Sequence, residues 1–253
     1  MAHGYISCAA CKDLFKTCDS EHGFERWGQS EPVRLTNNPA SWGSATPQLF
    51  LLGFSKGNTQ NKAMAEERRG RATFESIPFK GMRKRLGWLL RGLRLNRSDA
   101  APDSMFSRTE TRFQSTSVVR CSISARTASG GYSYKLKDIL DADVTTGGKV
   151  SEILRRCTKR HLANAAPGQH FVLLGLDEGQ IKLTKNAFED TFGSLQIVKP
   201  TVYRNRDHSW VHVAHPSGSQ TDPQYLRWCA GQTSTAKVAW AQQELASRGI
   251  GDR

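Results

Sequence analysis

Apolar residues along the chain fall in short blocks, and the spacing inside each block predicts its element. Gln48-Leu49-Phe50-Leu51-Leu52-Gly53 is a continuous apolar run between Pro47 and a polar, glycine-containing turn, as a strand buried on both faces reads. Ser117-Val118-Val119-Arg120-Cys121 and His170-Phe171-Val172-Leu173-Leu174-Gly175 have the same character. A basic helix from Ile153 to Leu162 lies between them, which makes a βαβ unit. After Gly81, Leu86, Leu89, Leu90 and Leu93 recur at helical spacing, while Arg83, Lys84, Arg85, Arg91 and Arg94 make the exposed part basic. Leu195 to Val198 and Trp210 to Ala214 supply two further strands, and Ser234 to Ser247 a closing helix of good helix formers. Ser122 to Lys149 breaks the pattern. It holds Gly130-Gly131, Gly147-Gly148 and two tyrosines without a sustained period, and reads as a Gly/Ser-rich insertion or lid at about 122–149. Alternating β and α elements predict an α/β fold with a central, mostly parallel sheet covered on both faces, and a site at the carboxyl ends of its strands.

Composition narrows the picture. At 253 residues and 38% hydrophobic content, one core and a single domain over 1–253 are expected. No stretch approaches the roughly 20 apolar residues of a membrane span, and the start runs into cysteines without an apolar core segment. A soluble, cytoplasmic protein with no membrane partner and no obligate protein partner is expected. Thirty-six Lys and Arg against 23 Asp and Glu give a net charge of +13 and a pI near 9.7. Such a balance points to a polyanion, nucleic acid being the commonest, although a generally basic solvated surface gives the same charge. In a reducing compartment the six cysteines read as metal ligands or buried thiols rather than a disulfide framework.

Four features carry candidate chemistry. Cys8-Ala9-Ala10-Cys11 is a CxxC pair, with Cys121 after a predicted strand and Cys157 inside the basic helix; Cys229 reads as a buried free thiol. Cys8, Cys11, Cys18 and His22 also have spacing suited to tetrahedral zinc. Gly53-Phe54-Ser55-Lys56-Gly57-Asn58 stands at the strand-to-loop position, where glycine lets backbone come close to a ligand. Ile77-Pro78-Phe79-Lys80-Gly81 precedes the basic helix, and Val211-His212-Val213-Ala214-His215-Pro216-Ser217-Gly218 follows an alternating strand.

In this order the four features resemble the iron–sulfur (family 4) uracil-DNA glycosylases and their superfamily, over Cys8 to about Cys229. The resemblance implies a three-layer α/β/α domain, DNA as partner, and a monofunctional enzyme that flips a base out and hydrolyses its N-glycosidic bond. It implies a 4Fe-4S cluster on Cys8, Cys11, Cys121 and Cys157, with zinc the alternative. It implies that His215 donates to the departing base, that Gly53, Phe54, Phe79 and Ser117 hold the base, and that Asn58 places the water. Lys56, Lys80, Arg83, Lys84, Arg85 and Ser217 would meet DNA.

This chain also departs from the family. Phe54-Ser55 stands where the family's Gly-Glu-Ala-Pro-Gly segment has an acid, which leaves the water to Asn58, an amide that orients but is no strong base. Ser117 replaces the uracil-reading Asn, and the gap from Cys121 to Cys157 is longer. These departures favour a bulky modified pyrimidine, such as the glucosylated hydroxymethylcytosine of phage DNA, removed in antiviral defence. Uracil or a deaminated base in DNA repair is the alternative. A non-catalytic DNA-binding or damage-sensing protein on the same fold is the reading from a different class.

Overall fold

The computed structural model describes residues 3–96, 102–217 and 236–251; Gly218, Cys229 and the start of the predicted closing helix lie outside them. Two sheets organise the described residues. The larger contains β1 (Gly4–Tyr5), β5 (Ala40–Gly43), β6 (Leu49–Gly53), β7 (Phe113–Ser117), β10 (His170–Leu174), β11 (Gln196–Lys199), β12 (Val202–Arg204) and β13 (Ser209–Val213), in the order β1-β5-β7-β6-β10-β13-β12-β11. Its centre, β7-β6-β10-β13, is parallel, and antiparallel strands flank it on both sides. The smaller sheet is antiparallel: β2 (Cys18–Glu21), β3 (Phe24–Trp27), β4 (Val33–Thr36), β8 (Ser122–Arg126) and β9 (Tyr132–Ser133). Helices α1 (Asn58–Arg68), α2 (Arg83–Gly92), α3 (Leu136–Thr145), α4 (Lys149–Leu162), α5 (Glu178–Phe192) and α6 (Ala236–Ser247) complete the described fold. The fold is α/β, and no described helix is long and apolar enough to cross a membrane.

The continuous apolar runs exist because each central strand feeds two cores. Leu49, Leu51, Val172, Leu174, Val211 and Val213 join one cluster with α1, α2 and α6 side chains such as Met64, Leu89 and Leu245. Their alternates Phe50, Leu52, Phe171, Leu173 and Trp210 join the other with Ile139, Leu154 and Phe188 of α3, α4 and α5. Parallel registration sets Phe50, Phe171 and Trp210 side by side. Their rings stack at 5.0 and 5.3 Å with tilts of 11° and 6°.

Two expectations need correction. The strand expected at 117–121 is β7, four residues earlier, and Val118 to Cys121 is a loop. The reason is polarity: Gln114, Ser115, Thr116 and Ser117 are buried in the sheet although none is apolar. Gln114 Nε2 donates to the Ser44 carbonyl at 2.6 Å and Thr116 Oγ1 to the Ala40 carbonyl at 2.9 Å, so burial leaves these two donors paired. The segment expected as a lid at 122–149 is built from β8, β9, α3 and the start of α4. Its anchor, β4, pairs with β8 from about 90 positions upstream, beyond any local pattern.

Burial pushes four imidazoles below their ordinary 6.5: His161 to about 3, and His170, His212 and His215 to about 4. Unfolding returns them to 6.5, so between pH 4 and 6.5 the unfolded chain binds more protons and stability falls as pH falls. Each histidine contributes a slope of about 1.4 kcal/mol per pH unit in that window. Urea midpoints are expected to drop steadily from pH 7 to 4.5; a flat profile contradicts the burial of these rings.

Candidate functional site

The parallel strands deliver their following loops to one edge, and there the surface opens into a cleft of about 430 Å³. After β6, residues 54–57 lead into α1, with Gly57 extended as its cap and Asn58 as its first residue. Phe54 and Asn58 both line the cleft. After β10, Gly175-Leu176-Asp177 leads into α5; after β13, Ala214 to Ser217 brings in His215 and Ser217. Gly175 is obligatory at φ +142, because a Cβ there would lie 2.0 Å from Gln180 Oε1. The same Gln180 donates through Nε2 to the Leu174 carbonyl at 3.1 Å, fixing this wall.

The opposite wall comes from the smaller sheet, through Tyr134 just beyond β9. Its hydroxyl accepts from Asn61 Nδ2 at 3.3 Å, and Asn61 Oδ1 accepts from Asn38 Nδ2 at 2.8 Å. Asn38 Oδ1 takes the Ser122 backbone N–H at 2.9 Å. This network ties α1, β8 and Tyr134 together behind the cleft.

His215 is held in one tautomer. The Ser217 backbone N–H donates to Nδ1 at 3.2 Å, so in the neutral ring the proton sits on Nε2. Burial, and secondarily the Arg85 guanidinium, push the ring down to about 4, so it is neutral near pH 7. Arg85 Nε donates to the Pro216 carbonyl at 2.7 Å and pins the turn that carries the ring. The neighbouring His212 is a core group whose Nδ1 meets the Gly175 carbonyl at 3.0 Å.

Other expected site residues stand elsewhere. Phe79 does not line the cleft; it is buried at φ +53 and stacks on Phe106 at 5.9 Å in the core. Gly53 and Ser117 are paired across β6 and β7 beneath the cleft and do not line it. Lys56 is 0% exposed and is excluded from any direct phosphate contact. Arg83 is turned inward: it donates to the Pro78 carbonyl at 3.0 Å, pairs with Asp103 and covers the Phe106 ring at 4.5 Å. Arg85 serves the Pro216 turn, whereas Lys80 and Lys84 are exposed near the cleft residue Met82. Tyr134 and Asp177 were not anticipated. Asp177 had a sequence signal, the Asp177-x-x-Gln180 cap spacing, realised as Gln180 N–H to Asp177 Oδ1 at 3.0 Å. Tyr134 had none.

Behind the cleft floor is a second site. Cys8, Cys11, Cys121 and Cys157 line one chamber together with Arg120 and His161. Burial, then the neighbouring sulfurs, push the Cys11 thiol up to about 12, and burial raises Cys157 to about 11. Cys121 is raised well above its ordinary range for the same reason. The Arg120 backbone N–H donates to Cys157 Sγ at 3.2 Å. Lys56 does not line the chamber but interacts electrostatically with Cys121 and Cys157: its Nζ has no hydrogen-bond partner among the described residues, and burial pushes it down to about 7 against the pull of Cys121. The alternative zinc set is not assembled. Cys18 is exposed on β2, His22 turns at φ +56 with Nδ1 2.6 Å from Arg69, and neither lines the chamber.

No protein-family profile and no curated protein sequence matches the chain.

Replacing Arg85 with Met removes both a nearby positive charge and the Pro216 contact. The His215 imidazole is expected to titrate closer to 6.5 in an NMR pH series, and an unchanged midpoint contradicts the assignment of Arg85.

Proposed function

We propose that the chain is a monofunctional DNA glycosylase on a three-layer α/β/α, uracil-DNA glycosylase-like fold, acting on a bulky modified pyrimidine. The observation that supports it most is the neutral His215, set by Ser217 as an Nε2–H donor in a cleft that also holds Asn58. Breaking the C1′–N bond leaves an oxocarbenium-like sugar and gives the bond's electron pair to the base. A fixed donor facing that growing charge lowers the barrier without reorganising at the moment of reaction. A neutral donor also avoids holding an ion pair in the ground state.

In this reading Phe54, not Phe79, stacks on the extruded base, because it is the phenylalanine that lines the cleft. Asn58 orients the water. Ser217 and the exposed Lys80 and Lys84 meet phosphates. The cleft, at about 430 Å³, exceeds what a bare pyrimidine fills, and its Tyr134, Gln60, Thr59 and Asp177 suit a hydroxyl-rich substituent. Glucosylated hydroxymethylcytosine, as carried by phage DNA, has that chemistry, and removing it would act in antiviral defence.

Cys8, Cys11, Cys121 and Cys157 fit a 4Fe-4S cluster. Raised thiol pKa values make Cys11, Cys121 and Cys157 poor nucleophiles, so a catalytic thiol role is not favoured for them. Two fully buried basic side chains, Lys56 and Arg120, interact electrostatically with Cys157, and a dianionic cluster would favour their charged forms. Cys8 and Cys11 of the amino-terminal segment, Cys121 of the loop after β7 and Cys157 of α4 would hold the cluster, and it would supply a cross-link between these three parts of the chain.

His215→Ala is expected to lower the single-turnover rate of base release about 10²–10³-fold. DNA affinity should stay within a factor of about three; equal rates overturn the role of the ring. The purified protein should be brown, absorb near about 400 nm and contain iron. A colourless protein carrying zinc would sink the cluster assignment.

A further inference from the structure

We propose that Asp177 is the group that accepts the attacking water's proton. The inference rests on the reading of the cleft as a base-excision site and adds a catalytic residue to it. Among the described residues Asp177 is the one carboxylate lining the cleft. Strand order gives its position. β10 lies between β6, whose loop carries Asn58, and β13, whose loop carries His215, so the 175–177 turn emerges between the two.

The carboxylate is also fixed. Oδ1 accepts the Gln180 N–H at 3.0 Å as the cap of α5, and Gly175 and Gln180 hold the turn beneath it. Oδ2 has no partner among the described residues, and Asp177 is exposed to the cleft. The residues after β6, Phe54, Ser55, Lys56, Gly57 and Asn58, contain no carboxylate. Asn58 can orient a water through its amide but cannot take its proton. A carboxylate one strand away supplies what that loop lacks.

The step balances as follows. The C1′–N bond breaks and its electron pair leaves with the base, held by His215 Nε2–H. The water oxygen bonds to C1′, and the released proton passes to Asp177 Oδ2, which returns it to solvent. The base anion takes up a proton from solvent in its place, and the products are the neutral free base and an abasic sugar with a hydroxyl at C1′.

Asp177→Asn separates this role from capping, because Asn caps a helix as well as Asp does. The experiment measures single-turnover release of base, DNA affinity and Tm for wild type and Asp177→Asn. The expected result is a rate about 10²–10⁴-fold lower, with affinity and Tm unchanged. A wild-type rate in Asp177→Asn overturns the proposal while leaving the glycosylase reading intact. Loss of rate together with affinity or Tm also overturns it, since a structural role would then suffice. If wild type releases no base from DNA carrying uracil, hypoxanthine, hydroxymethylcytosine or its glucosylated form, the underlying reading fails and this proposal with it.

Discussion

A buried amine sets the terms for this molecule. Lys56 is completely shielded from solvent, and an uncompensated charge in that position costs several kcal/mol. Its side chain shares the chamber's electrostatics with Cys121, Cys157 and Arg120, while its neighbours Phe54 and Asn58 line the cleft. One short segment, from Phe54 to Asn58, therefore connects two sites. The backbone reinforces the link: Val118 N–H donates to the Gly53 carbonyl at 2.8 Å and Val119 N–H to the Phe54 carbonyl at 2.9 Å. The loop that ends in Cys121 is thus stapled to the loop that begins the cleft, and whatever satisfies the thiols and the amine also holds the cleft floor.

The cleft itself follows from strand order. Three adjacent parallel strands end side by side, and each contributes one kind of group: an amide from the loop after β6, a carboxylate after β10 and an imidazole after β13. None of these side chains depends on a long flexible segment. Asn58 starts a helix, Asp177 caps one, and His215 is held by Ser217 within its own turn and by Arg85 through Pro216. Placement on rigid elements is what a preorganised site requires. The smaller sheet closes the opposite wall with Tyr134, so the segment without periodicity became a structural wall of the cleft.

Legibility tracked polarity and distance. The strands at 49–53 and 170–174 were readable because burial on two faces leaves a nearly continuous apolar run, and the strand at 209–213 because Trp210, Val211 and Val213 are apolar around His212. β7 lies in the same sheet but was misplaced, because Gln114, Ser115 and Thr116 are polar residues buried in it, with Gln114 Nε2 and Thr116 Oγ1 each donating to a backbone carbonyl. The smaller sheet depends on β4 pairing with β8 far along the chain, which no window of sequence contains. Among candidate site residues, Cys8, Cys11, Cys121 and Cys157 do come together, as do Asn58, His215 and Ser217. Residue type misled where packing decided the outcome. Phe79 and Lys56 carry side chains suited to stacking and to phosphate, yet one fills the core and the other is sealed inside.

The central claim is that this cleft releases a base from DNA. Its most direct test is mass-spectrometric detection of free bases after incubating the purified protein with DNAs that carry uracil, hypoxanthine, hydroxymethylcytosine or glucosylated hydroxymethylcytosine. The account predicts release of the glucosylated base and abasic sites in the same strands. DNA that is bound but yields no free base of any kind would contradict it and leave a non-catalytic DNA-binding protein as the better description.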